Sequence, residues 1–260
     1  MANAARVHAV ENGKNISDNV MIAFGGAAPL HAARLCEKLG IDRCLIPQGA
    51  GVGSAIGFLK APFGYEAVAS QIMRLAAFDW KALNTLLSNP KQTAENFVRA
   101  GTDGEIEREV TAFMRYAGQG WEIPVTLPDR AFTADDQAMI EASFRDRYAQ
   151  LFGRAVDGPE IEFVTWSVKA QEVREAGKRY PLELDGQAAD ASASRMVFGP
   201  ATGADQETKI VARDTLAPGV RVDGPAIIVE RETSTIVTTT FGAVAQADGT
   251  ILLVRKGLAA

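Results

Sequence analysis

Apolar and polar positions divide the chain into an α/β opening and a longer remainder that is mostly strand. Met1 to Val10 is rich in helix formers and Gly13 suits the position just past a helix end. The chain thus reads as opening inside a helix, as a piece of something longer does. Val20 to Phe24 is an apolar run of strand length closed by Gly25-Gly26, which predicts a buried strand. Ala27-Ala28-Pro29 opens a helix that carries Leu30, Ala33, Leu35, Cys36 and Leu39 and stops at Gly40. Ile41 to Ile46 is a second strand, Gln48 to Ser54 a glycine-rich loop, and Ala55 to Leu59 a further helix. This succession of strand, helix, strand, loop and helix is an α/β unit.

A boundary follows at Ala61-Pro62-Phe63-Gly64. Tyr65 to Leu75 alternates as a strand. Phe78 to Ala100 predicts a helix with Trp80, Leu83, Leu86 and Leu87 apolar, broken at Asn89-Pro90. Ile106 to Tyr116 and Glu122 to Leu127 alternate on either side of Ala117-Gly118-Gln119-Gly120, a hairpin in which Pro124 suits an edge position. Thr133 starts a helix, with a loosely acidic capping-box spacing to Asp136 and with Phe144, Tyr148 and Leu151 on one face. Ile161 to Ala170 is another strand. Residues 182–205 are small, polar and weakly patterned, so a loop or poorly ordered segment is expected there. From Lys209 onward short strands alternate with turns at Pro218-Gly219, Asp223-Gly224-Pro225 and Asp248-Gly249.

Composition narrows the function classes. Of the 260 residues, 27 are Lys or Arg and 32 are Asp or Glu, a formal net charge of -5, which argues against a basic nucleic-acid-binding module. No run approaches the ~18 apolar residues of a membrane span, and the start lacks a secretory apolar core. Two cysteines, Cys36 and Cys44, make no disulfide framework and point to a reducing, cytoplasmic setting. Cys36 falls on the apolar side of its helix and reads as core rather than nucleophile. The two histidines, His8 and His31, are not flanked by these cysteines at zinc-ligand spacing.

Three segments could carry chemistry. In Phe24-Gly25-Gly26-Ala27-Ala28-Pro29-Leu30-His31 a strand gives way through two glycines to a helix start. Glycine lets a ligand approach the backbone, and a helix start offers free N–H groups to an anion. The alternative is a tight turn whose glycines relieve crowding, and spacing alone favours it. Pro47 to Lys60 carries Gly49, Gly51, Gly53 and Gly57 without an interior basic residue, so close packing suits it better than a phosphate cradle. Arg115-Tyr116-Ala117-Gly118-Gln119-Gly120-Trp121-Glu122 reads as a hairpin loop with an anchoring aromatic residue; Arg115 and Gln119 could also face a substrate or a partner subunit.

Four stretches, FGGAAPLHAARLCEKLGI (24–41), IPQGAGVGSAIGFLKAP (46–62), RYAGQGWEIPV (115–125) and GPAIIVERETSTIV (224–237), span almost the whole chain. In this order they resemble the C-terminal part of the hydantoinase A family: ATP-dependent hydantoinases, oxoprolinases and the nucleotide-binding subunits of acetone and acetophenone carboxylases. APFGYEAVASQIMRL and FRDRYAQLFGR look more like the acetophenone-carboxylase branch than the oxoprolinases. The resemblance implies an α/β plus α+β chain. Residues 1–62 would be the C-terminal end of an actin-like (ribonuclease H-like) ATPase lobe, and 63–260 a β-rich C-terminal domain. It implies ATP with Mg²⁺, and nucleotide contact by Gly25, Gly26, Ala27, Ala28 and Pro29. His31, Arg115 and Gln119 become candidates for substrate or subunit contact, and no catalytic acid or base is assigned. ATP would phosphorylate a carbonyl or bicarbonate oxygen, and a hydantoinase B-type partner would complete the reaction.

The chain departs from the family pattern in four places. Ala28 stands where a third glycine is usual. Arg147-Tyr148 through Phe152-Gly153-Arg154 replaces a His-x-x-x-Tyr-Gly pattern, and Thr238 to Gly242 replaces a Pro-Pro-Gly turn. The glycine–threonine phosphate loop and Mg²⁺-handling acidic residue of the first lobe have no counterpart here. The expectation is a C-terminal fragment or split subunit, the N-terminal ATPase lobe being supplied in cis or in trans. The alternative is a non-catalytic assembly module that docks a hydantoinase B-type subunit.

Overall fold

In the computed structural model, which describes residues 1–175, 177–189 and 191–257, the chain forms α1 (Ala2–Glu11) and then the short strand β1 (Met21–Ile22). α2 (Ala28–Leu39) has Pro29 in its first turn and ends at Gly40, whose left-handed φ of 73° stops the helix. β2 (Arg43–Ile46) runs parallel to β1, and after a single 3₁₀ turn α3 (Gly53–Lys60) follows. The next stretch contributes β3 (Gly64–Arg74), α4 (Trp80–Arg99), β4 (Ile106–Tyr116), β5 (Ile123–Leu127), α5 (Asp136–Phe152) and β6 (Ile161–Glu172). Eight strands close the chain: β7 (Gln187–Ala188), β8 (Ala193–Gly199), β9 (Ala204–Ala212), β10 (Val220–Asp223), β11 (Ala226–Val229), β12 (Ser234–Val237), β13 (Phe241–Ala245) and β14 (Ile251–Arg255).

These elements form two units. Met1–Lys60 packs with Gly177–Ala260, and Ala61–Ala176 folds separately. The boundary read at 61–64 is therefore where the chain enters an inserted unit, and the segment from 177 returns to the first.

The returning segment completes the first unit. Its six-stranded sheet has the order β1-β2-β14-β13-β10-β7, with β14 antiparallel to β2 so that Leu252 faces Leu45 and Leu253 faces Cys44. A four-stranded sheet, β12-β11-β9-β8, lies beside α2 through β12. Ala32, Ala33, Cys36, Ile46, Val237 and Leu253 are among the buried side chains that fill the core of this unit. The inserted unit is an antiparallel sheet of order β3-β6-β4-β5, packed on one face around Leu83, Leu87, Phe144, Phe163 and Trp166. β4 and β5 form the expected hairpin, with Pro124 on the edge strand.

Several sequence expectations need correction. The strand at 20–24 shrinks to Met21–Ile22, and Val20, Ile22 and Phe24 are exposed. β1 is an edge strand paired only to β2, so only Ala23 of that run is buried. α4 is not broken at Asn89-Pro90 but runs through it. Proline forfeits one helix hydrogen bond, and Pro90 sits on the buried face with Leu83, Leu87, Ala94 and Val98, where burial of that stripe offsets the loss. Residues 182–205 include β7 and β8, and the whole of β8 is paired with β9. Weak patterning there follows from an edge strand largely open to solvent. Leu151 faces solvent instead of joining Phe144 and Tyr148; Phe152 packs against Tyr148, with ring centroids 4.6 Å apart. α5 begins at Asp136, not Thr133. The buried Asp136 carboxylate reaches back to Thr133 N (2.7 Å) and pairs with Arg130, which holds its pKa far below the usual range.

Candidate functional site

The turn at 24–28 connects β1 to α2. Gly25 has φ 106°, a conformation that glycine adopts without strain. Its N–H donates to Ala50 O at 2.6 Å, and its carbonyl accepts from Ala28 N–H at 3.2 Å. Among the described residues the N–H groups of Gly26 and Ala27 donate to no protein acceptor. Ala27 caps α2 without a side-chain hydrogen bond, which leaves the helix start without a capping acceptor of its own. A Cβ placed on Gly25 or on Gly26 would meet no heavy atom within 4 Å. Crowding is thus not what demands glycine here, although the tight turn favoured by spacing alone is present and Gly25 serves it through its φ. The turn presents exposed backbone and two unpaired N–H groups at the positive end of a twelve-residue helix.

Two other loops support this turn. At Gly51 an added Cβ would lie 2.6 Å from Glu232 Cβ and 2.8 Å from Glu232 O. Gly49 combines a φ of 69° with Ile56 Cδ1 at 2.4 Å from such a Cβ. The second glycine-rich loop is therefore a packing element. From the hairpin between β11 and β12, Thr233 Oγ1 donates to Gly26 O at 2.6 Å. Further along α2, Glu37 accepts from Thr238 Oγ1 and Thr240 Oγ1, both at 2.6 Å, and from Arg34. Burial opposes ionisation of Glu37, but these hydrogen bonds outweigh it and hold its pKa below the ordinary glutamate value. Thr233 and Glu37 were not singled out in the sequence. The signal that could have found Thr233 is its place in GPAIIVERETSTIV, a motif to which no role could be given without the fold.

The remaining candidates lie elsewhere. Pro29 is buried, and His31 is exposed on α2, lining a groove of about 570 Å³ with Arg6, Arg34 and Lys38. Arg115 and Gln119 belong to the inserted unit and are engaged internally. Arg115 Nε donates to Glu162 Oε1 at 2.8 Å, and Gln119 Nε2 donates to Tyr148 OH at 2.9 Å. Trp121, expected as an anchoring aromatic, is exposed. Both cysteines are buried, and hydrogen bonding to Cys36 together with burial pushes the Cys44 thiol up, as expected of core thiols. Among the described residues no three His, Cys, Asp or Glu side chains could together hold a metal ion, and no helix is long and apolar enough to cross a membrane.

Comparison with known proteins places the chain. The hydantoinase/oxoprolinase family model matches residues 1–67, and the hydantoinase/oxoprolinase C-terminal domain matches residues 79–256. The chain is 29% identical to caprolactamase subunit alpha of Pseudomonas jessenii over 169 residues, 63% of this chain and 24% of that protein. It is 24% identical to 5-oxoprolinase of Saccharomyces cerevisiae over 195 residues, 74% of this chain and 15% of that protein. The crystal structure of ATP-dependent caprolactamase from Pseudomonas jessenii superposes on 98% of this chain with a TM-score of 0.71 at 25% identity. Nucleotide-free acetone carboxylase superposes on 98% with a TM-score of 0.76 at 21% identity, a likeness of fold. In both structures the match spans 38% of the other chain. The chain belongs to the hydantoinase/oxoprolinase family.

Proposed function

We propose that the chain provides the nucleotide-contacting turn and the C-terminal domain of an ATP-dependent hydantoinase, lactamase or ketone carboxylase. In such an enzyme ATP activates a carbonyl or bicarbonate oxygen by phosphorylation. The observation that carries this reading is the start of the Gly25-Gly26-Ala27-Ala28-Pro29 segment, where among the described residues the Gly26 and Ala27 N–H groups are unpaired and the two glycines place no side chain in a ligand's way. Backbone N–H groups at a helix start suit a phosphate-bearing ligand, and the solved relatives are described as ATP-dependent. In this reading residues 1–62 end an actin-like lobe, and an N-terminal lobe, in cis or in trans, supplies the phosphate loop. In this reading the acidic residue of that lobe also handles the Mg²⁺. A hydantoinase B-type subunit completes the assembly in the cytoplasm.

Titrating the 260-residue chain with millimolar ATP and following backbone amides by NMR tests this. Weak, saturable shifts at residues 25–30 without ATP hydrolysis are expected. No response in the turn, or robust hydrolysis by the pure chain, overturns it.

A second reading rests on α3, where Phe58 and Leu59 are 84% and 81% exposed. Such side chains suit a covered interface, as in an assembly module that docks a hydantoinase B-type partner. A complex with that partner alone, indifferent to ATP, favours the module over the enzyme.

A further inference from the structure

The motif GPAIIVERETSTIV has no part in the function proposed above, yet the fold brings its hairpin turn against the glycine turn from 207 positions away. The hairpin turn is itself held firmly. Glu230 N–H donates to Thr233 O at 3.1 Å. The Glu230 carboxylate accepts from Arg213 Nη1 at 2.8 Å, a pair in which both side chains are about nine-tenths buried. Arg213 Nη2 reaches on to Ile46 O and Gly249 O, which ties the hairpin to the end of β2 and to the β13–β14 turn. Thr233 is thus a fixed hydroxyl presented to the Gly26 carbonyl.

That carbonyl belongs to the same peptide unit as the Ala27 N–H. A trans peptide is planar, so its C=O and N–H point in opposite directions. Drawing Gly26 O toward Thr233 therefore turns the Ala27 N–H away from the hairpin, where it bonds to no acceptor among the described residues. The neighbouring peptide is set by the same geometry: Gly25 O accepts from Ala28 N–H, which turns the Gly26 N–H outward. One free donor is oriented by the turn itself and the other by a side chain remote in sequence.

We propose that Thr233 is a positioning residue that fixes the orientation of the Ala27 N–H for a phosphate-bearing ligand. This rests on the nucleotide reading of the turn. The substitution Thr233→Val keeps the shape and removes the donor, and Thr233→Ser keeps the donor. On the full 260-residue chain, the residual dipolar coupling of the Ala27 N–H in the absence of nucleotide should change in T233V and recover in T233S. Couplings in β6 of the inserted unit should stay constant. Titration with ATP should show an apparent Kd at least about fivefold weaker for T233V and within twofold of the unsubstituted chain for T233S. An unchanged Ala27 coupling in T233V overturns the positioning role, as does a changed coupling with unchanged ATP affinity. A turn that gives no ATP response in the unsubstituted chain overturns the nucleotide reading instead, and the coupling still decides whether Thr233 orients the peptide.

Discussion

The turn at 25–26 and the loop at 49–51 both join a strand to a helix through glycines, and they lie against one another through the Gly25 N–H and Ala50 O. At Gly51 a Cβ would press within 3 Å of the Glu232 backbone, whereas at Gly26 it would project into open space. Gly25 is required by its backbone angle, Gly51 by a neighbour, and Gly26 by neither. At Gly26 neither conformation nor packing demands glycine, and the adjoining unpaired N–H groups are what the proposed nucleotide contact would use. In sequence the two segments carry the same signal. Residues 230–233 touch both: Glu232 packs over Gly51, whereas Thr233 takes only the Gly26 carbonyl and leaves the Cβ side of that glycine open.

The largest effect should come from filling the packed loop. Gly51→Val forces a side chain into the backbone of Glu232, and overpacking of this kind costs up to about 3 kcal/mol. Urea unfolding should show the midpoint falling by a corresponding amount, with the loss confined to the first unit. A variant as stable as the original would mean that the loop and the hairpin are not in contact in solution.

Next comes the anchor of α2, the helix on which the open turn depends. Glu37→Gln removes a charged acceptor shared by Thr238, Thr240 and Arg34, a loss of roughly 1.5 kcal/mol near neutral pH by the usual worth of hydrogen bonds to charged groups. The pH dependence follows from the direction of the shift. Glu37 is held below its ordinary value in the fold, so its stabilisation is complete above the unfolded-state pKa of about 4.3 and is lost as pH falls through the lower folded value. The stability gap between the two proteins should therefore close progressively below about pH 4. A gap independent of pH would assign the effect to shape rather than charge.

A smaller change is expected at Gly25. Alanine there is held at φ 106°, and strain of this kind costs on the order of 1 kcal/mol. The turn should lose stability without any clash, as read by thermal unfolding. An unchanged melting temperature would indicate that the turn relaxes freely.

The legible part of the molecule is the part governed by neighbours in sequence. The succession of elements over residues 20–60 and the β4–β5 hairpin follow from local periodicity and glycine placement. So does the glycine stop of α2. What was not legible depends on partners far along the chain. Pro90 reads as a breaker because the buried stripe that retains it appears only when α4 packs on its sheet. β8 reads as loop because an exposed edge strand needs no apolar alternation. β1 was read as a buried strand, yet it pairs on one side only. For the candidate site, the turn itself marks Gly25 and Gly26 only as a strand-to-helix turn, and it is the family resemblance that implies nucleotide contact there. Thr233 is not marked, because nothing at position 233 announces that residue 26 will lie against its hydroxyl.

The smallest expected change in stability tests the comparison most directly. Gly26→Ala adds one methyl group into space where no heavy atom lies within 4 Å, at a position without a left-handed backbone. Stability should stay within about 0.5 kcal/mol of the original, as for a surface change that touches nothing. If the backbone at 26 faces a nucleotide, that same methyl group should weaken the ATP-induced amide shifts at 25–30 by severalfold. Gly57→Ala is the matching control for ligand response: it also lies in open space, inside α3, where alanine should raise stability by up to about 1 kcal/mol and leave the ATP-induced shifts unchanged. Loss of ligand response without loss of stability separates a backbone that faces a ligand from one that is merely exposed. If Gly26→Ala and Gly57→Ala leave the same ATP response, the openness of the turn has no bearing on ligand binding, and the contrast between the two glycine loops reduces to packing alone.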